Sequence, residues 1–135
     1  MKRKIQFRGY NLKNKKWLYG YYLVNRGKSY IVQDEVVDPF AVPEDFEVDP
    51  ESVGQFTDMI SREGDEIYEG DILQMEPGII SPNPANKVVW RKDLGMFGLI
   101  PKDYFMFQDP YLGNYKVIGN EYEEKMKHPG KHILK

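Results

Sequence analysis

The chain has 135 residues and a formal net charge of -2, with no cysteine, ten Tyr, seven Phe and two Trp. That length fits one domain or two small subdomains able to bury a core unaided. The missing cysteines exclude thiolate catalysis, Cys-ligated zinc and disulfides.

The balanced total hides segregation. Residues 1–33 carry nine Lys/Arg and no acid, residues 34–76 carry fifteen Asp/Glu against Arg62 alone, and residues 77–135 carry nine basic side chains against six acidic ones. Such asymmetry either steers a nucleic acid to the basic part or draws oppositely charged segments or subunits together. A pI near 5.7 favours the second. No run approaches the roughly twenty apolar residues of a membrane span, and Met1-Lys-Arg-Lys4 lacks the apolar core of a secretory signal. The expectation is a soluble protein of the cytoplasm with no membrane partner.

Lys4-Ile-Gln-Phe-Arg8 alternates as a half-buried strand does, with Ile5 and Phe7 inward and Arg8 outward. After a polar loop, Trp17 to Val24 is apolar on both faces, which predicts a strand that is central or covered on both sides. Asn25-Arg-Gly-Lys28 reads as a hairpin turn into Ser29–Gln33. Residues 34–49 bring acids and prolines, an irregular segment pinned by Phe40, Val42 and Phe46 and holding one short helical turn. In Asp49-Pro-Glu-Ser-Val-Gly54, Asp49 caps a helical turn, Pro50 takes its first position and Gly54 ends it in a left-handed conformation.

Ser61–Asp65 predicts a turn, and Glu69-Gly-Asp71 a tight bend in which Gly70 takes a positive φ and Asp71 bonds backbone amides. Residues 77–86 form a loop. Lys87–Arg91 and Met96–Ile100 pair around a turn containing Gly95, Tyr104–Phe107 is a short apolar segment, and Asn114–Asn120 is the last strand. Glu121–Lys135 reads as a charged, fraying tail. The fold class is therefore mainly β, α+β with little helix. An N-terminal meander with its acidic segment (residues 1–55) precedes a small SH3-like, barrel-type half (residues 56–122) and a flexible tail (residues 123–135).

Four motifs in order, Ile5-Gln-Phe-Arg-Gly-Tyr10 with Trp17, Val53-Gly-Gln-Phe-Thr57, Glu66-Ile-Tyr-Glu-Gly-Asp-Ile72 and Tyr115-Lys-Val-Ile-Gly-Asn120, resemble the YopX family of bacteriophages and prophages. Where that family usually writes Thr-Gly-Leu and a Lys/Asn/Gly turn, this sequence has Thr57-Asp58-Met59 and Ser61-Arg-Glu-Gly64. The resemblance implies a β-rich two-part fold, a phage or prophage source and a bacterial cytoplasmic setting. It implies no activity and carries over no catalytic residue.

Among candidate chemistries, Glu66, Glu69 and Asp71 form the best carboxylate cluster, which could hold a divalent ion or act as an acid/base pair. Turn chemistry explains them more simply. His128 and His132 are four apart, but Pro129-Gly130 between them forbids the helix that a metal pair needs. No nucleophile elbow, Walker loop or dinucleotide fingerprint is present. The expectation is thus no enzyme, no cofactor and no metal.

The leading surface combines Arg8, Tyr10, Lys15, Lys16, Trp17, Tyr19, Tyr21 and Tyr22. Basic side chains interleaved with rings on strands suit single-stranded nucleic acid. They suit a protein interface equally, because Tyr and Trp are enriched there. The expectation is a non-enzymatic interaction module that self-associates or binds a phage or host protein, with nucleic-acid binding as the alternative and a small carboxylate- or metal-dependent enzyme as the second.

Overall fold

The computed structural model describes residues 4–33, 42–75, 85–93, 95–100, 111–112 and 115–127. The chain divides into two compact units, Met1–Phe56 and Thr57–Lys135. As expected, it is mainly β and its sheets are built largely from antiparallel pairs.

The first unit holds β1 (Phe7–Asn11), β2 (Lys16–Asn25), β3 (Lys28–Val32), β4 (Glu47–Val48) and the start of β5 (Gly54–Ser61). Its strand order is β5-β1-β2-β3-β4. Asn25 opposes Lys28, so Arg26 and Gly27 alone make the β2–β3 turn. Both have positive φ, 53° and 77°, the type I′ geometry whose twist matches that of the flanking strands. β2 changes partner along its length, Lys16 to Gly20 pairing with β1 and Tyr21 to Asn25 with β3. Gly20 sits at that changeover, where a Cβ would lie 2.4 Å from the Val32 carbonyl oxygen. Backbone bonds then return the chain to its start, because the Asp49 amide donates to the Tyr10 carbonyl at 2.9 Å. The meander encloses Leu18, Ile31 and Val48, with Phe7, Phe46 and Val53 packed against them.

Three expectations for this unit change. The strand begins at Phe7, leaving Ile5 exposed, and Arg8 is buried because both faces of β1 are covered. β2 is central in hydrogen bonding, the first of the two alternatives expected, while several of its side chains are open to solvent. Gly54 does not end a helix. The 3₁₀ turn Pro50–Ser52 closes on Val53 in extended conformation, and Gly54 opens β5 opposite Arg8. Within the acidic segment the expected turn is the 3₁₀ turn Glu44–Phe46. Phe40 lies outside the described residues.

The second unit begins with the rest of β5, a hairpin to β6 (Glu66–Tyr68), then β7 (Asp71–Met75), β8 (Ala85–Arg91), β9 (Met96–Ile100), β10 (Tyr111–Leu112), β11 (Tyr115–Asn120) and α1 (Glu121–Lys127). The order β11-β7-β8-β9 is an antiparallel, open path among the described residues. β10, unforeseen from sequence, runs parallel to β5 at Ile60 and Ser61. Met59, Ile67, Leu73, Val88, Phe97, Leu99 and Tyr115 form the core. Gly70 and Gly95 take positive φ, 93° and 66°, as their turns require. Asp58, inside β5, also has φ 69°, and the Thr57 hydroxyl straddles it, accepting from the Met59 amide and donating to the Ile67 carbonyl.

The expected tail is in part a helix. The Asn120 carboxamide oxygen accepts from the Glu123 amide at 2.9 Å, acids fill the first turn of α1 and lysines its last. This is capping and dipole complementation that charge density alone conceals. Ala85 and Asn86, expected in the loop of residues 77–86, instead open β8 and pair with Gln74 and Leu73; the rest of that loop, the segment Tyr104–Phe107, and His128 and His132 lie outside the described residues.

Candidate interaction surface

In an antiparallel ladder directly opposed residues share a face. Arg8 opposes Tyr19 and Tyr10 opposes Trp17, so these four share one face of the first unit with Tyr21. Lys16 and Tyr22 lie on the other face, and Lys15 is in the β1–β2 turn with φ 54°. The structure therefore gathers five of the eight sequence candidates and separates three.

On the shared face the Arg8 guanidinium carbon lies 4.8 Å from the Trp17 ring centre, and Tyr10 meets the same ring edge-on at 5.4 Å. Cation–π contact gains strength from desolvation, and Arg8 is buried here. This trio is accordingly a structural cluster. Farther along the strand, Tyr19 and Tyr21 are 42% and 54% exposed. On the opposite face Tyr22 and Val24 are 40% and 57% exposed, although the Tyr22 ring also packs on Phe7 at 5.7 Å. Lys15 and Lys16 are exposed.

The charge segregation of the sequence is partly resolved inside this unit. Lys13 lies 3.8 Å from both Glu44 and Asp45, and Lys28 lies 4.0 Å from Glu47. The side chains are mostly exposed, so each pair contributes little stability, but together they offset basic charge beside the acidic segment. A pocket of about 240 Å³ opens nearby, lined by Leu12, Lys13, Glu44, Val48, Asp49 and Pro50 among others. Sequence reading overlooked it, because its walls come from segments more than thirty positions apart.

The turn residues act as expected apart from Gly54. The Asp49 carboxylate accepts from the Glu51 amide at 3.1 Å with Pro50 following it, and the buried Asp71 carboxylate accepts from the Tyr68 amide at 2.7 Å. Glu66 accepts from the Tyr68 hydroxyl at 3.2 Å. Among the described residues no three His, Cys, Asp or Glu side chains gather as a metal group. Sequence reasoning also missed Asn11, almost fully buried, whose side-chain amide donates to the carbonyls of Asp45 and Glu47 at 3.0 and 2.8 Å. Asparagine beside a turn gives no sign that it will be pinned by a segment this far away in sequence.

Residues 6–126 match the family model described as YopX protein. The chain belongs to the YopX family. A solved structure, the crystal structure of protein EF1440 from Enterococcus faecalis, is similar to this YopX chain with a TM-score of 0.56 and 21% identity, covering 91% of this chain and 96% of that one. At that identity the likeness concerns the fold. No curated protein matches. The family pattern accounts for the order of the motifs, and no helix among the described residues is long and apolar enough to cross a membrane.

Proposed function

We propose that this YopX chain is a phage- or prophage-encoded accessory protein of the bacterial cytoplasm that acts by binding other proteins, without catalysis, and self-associates. The supporting observation is that β2, fixed in mid-sheet, keeps Tyr19, Tyr21, Tyr22 and Val24 substantially exposed. Exposed rings on a rigid strand give large contact area at small entropic cost, which is how interface anchors work. The carboxylate cluster supports catalysis less, since Asp71 is tied to a turn amide and Glu66 to a tyrosine hydroxyl.

A second reading, binding of single-stranded nucleic acid, is favoured by one observation: exposed Lys15 and Lys16 lead directly into the ring-bearing strand. Against it, Arg8 stacks internally, and Lys13 and Lys28 lie beside carboxylates. Light scattering over a wide concentration range tests the first reading, which a purely monomeric protein with no captured partner would overturn. Titration with labelled single-stranded DNA at rising salt tests the second, since phosphate contacts make affinity fall steeply with salt.

A further inference from the structure

Resting on the protein-binding reading above and deepening it, we propose that the pocket beside the β1–β2 turn is a socket for one arginine side chain of a partner protein. Leu12 and Lys13 line it from one segment, and Glu44, Glu47, Asp49 and Pro50 from another, over the buried Val48. Its mouth is open to solvent: Leu12 is 58% exposed, and the side chains of Lys13 and Glu44 are 64% and 77% exposed. The pocket is also held in shape before any ligand arrives. The Asn11 side-chain amide donates to the Asp45 and Glu47 carbonyls and the Asp49 amide donates to the Tyr10 carbonyl, so the two segments are tied together. A site that needs no ordering loses less free energy on binding.

At about 240 Å³ the cavity is smaller than the pockets of roughly 300–1,000 Å³ that enclose drug-sized ligands, so it suits a single side chain. Leu12, Val48 and Pro50 match the methylene stem of an arginine, which buries along apolar surface while its charged end reaches polar groups. Three acids, Glu44, Glu47 and Asp49, stand against one base, Lys13, and three negative charges less one positive leave the lining at -2. That sign selects a cation and repels phosphate. Among the described residues no three acidic or His side chains come together as a metal group. A planar guanidinium, whose donors fan out in a fixed fork, instead spans separate carboxylates. The Asp49 carboxylate already accepts from the Glu51 amide, which leaves Glu44 and Glu47 as the principal acceptors. Lys13 and Lys28 lie 3.8 and 4.0 Å from these two, beyond the about 2.7–3.2 Å of a hydrogen bond, so an arginine that bonds them directly displaces contacts of little strength.

NMR titration of the full chain with N-acetyl-arginine amide tests the proposal, with N-acetyl-citrulline amide as its uncharged isostere. The arginine amide shifts the backbone amides of Leu12, Lys13 and Val48 and saturates at roughly millimolar concentration, as one side chain allows. The citrulline amide binds at least about threefold more weakly, because hydrogen bonds between charged groups are about twice as strong as neutral ones. Glu44→Gln weakens arginine binding by a similar factor, whereas Lys13→Ala strengthens it by removing the competing cation. Both positions are exposed, so neither variant threatens the fold. The inference fails if the arginine amide at about 50 mM leaves those amides unmoved, if citrulline binds equally well, or if the two variants do not change affinity in opposite directions. Each of these results removes the arginine socket and leaves the protein-binding reading standing, since that reading falls by a different result, a monomeric protein that captures no partner.

Discussion

The carboxylate of Asp71 accepts the backbone amide of Tyr68 at 2.7 Å in a site closed to water. Replacing Asp71 with Ala leaves that amide buried without its acceptor, so urea unfolding should show a loss of about 2–3 kcal/mol. Asp71→Asn keeps an acceptor oxygen and should lose markedly less. Equal losses in the two variants would mean that the charge, rather than the acceptor, secures the bend.

Asp58 holds φ 69° within β5, a conformation that costs a non-glycine residue energy and that glycine adopts freely. Its side chain is exposed, so little packing is at stake. Asp58→Gly, which restores the glycine usual in the family, should raise stability by about 0.5–1 kcal/mol, and Asp58→Val should lower it by more. An unchanged or lower melting temperature for the glycine variant would refute the assignment.

Gly20 permits β2 to pass its ladder from β1 to β3. Its missing Cβ is filled by the Val32 carbonyl, a backbone atom that cannot turn aside as a side chain can. Gly20→Ala should destabilise the protein by at least about 1–3 kcal/mol in urea titration, with amide shifts centred on Tyr21 and Val32. Full stability in that variant would show that the strands separate without penalty.

Burial alone would raise the pKa of Glu121, but hydrogen bonds and charge from Lys87 and Lys125 outweigh it and hold the carboxyl below its ordinary value. The Lys87 and Lys125 ammonium groups lie 2.9 and 3.2 Å away. A carboxyl whose pKa is depressed by folding adds stability above its unfolded-state value, about 4.3, and that stability fades as pH falls through the lower folded value. Thermal unfolding of wild type and Glu121→Gln should therefore converge as pH is lowered from about 6 to 3. Parallel curves across that window would count against any role for the charge.

Much of the fold was legible because it depends on short-range rules. Arg26-Gly27 sets a hairpin by backbone conformation, Asp49-Pro50 starts a turn by capping and fixed φ, and Gly70 and Gly95 mark bends that need positive φ. The strands around them followed from alternation. The misses share a different cause. Arg8 looked solvated because a charge on the polar face of a strand usually is, and only the cross-strand placement of Trp17 buries it. Whether Tyr19 and Tyr21 are exposed was not readable either, because exposure depends on what the rest of the chain leaves uncovered. Helix α1 was hidden by its charge density, although Asn120 with Glu123 three positions later is a readable start signal. At the candidate surface, residue types could be named from sequence, but which of them share a face required the register between β1 and β2.

The two backbone groups of Tyr10 that point away from β2 are both engaged, the amide by the Ser52 hydroxyl at 2.7 Å and the carbonyl by the Asp49 amide. That border of the sheet is therefore closed to an incoming strand from another molecule, the route by which open sheet margins recruit one another into fibrils. A strand arriving at that margin would find neither hydrogen-bonding group of Tyr10 left to receive it.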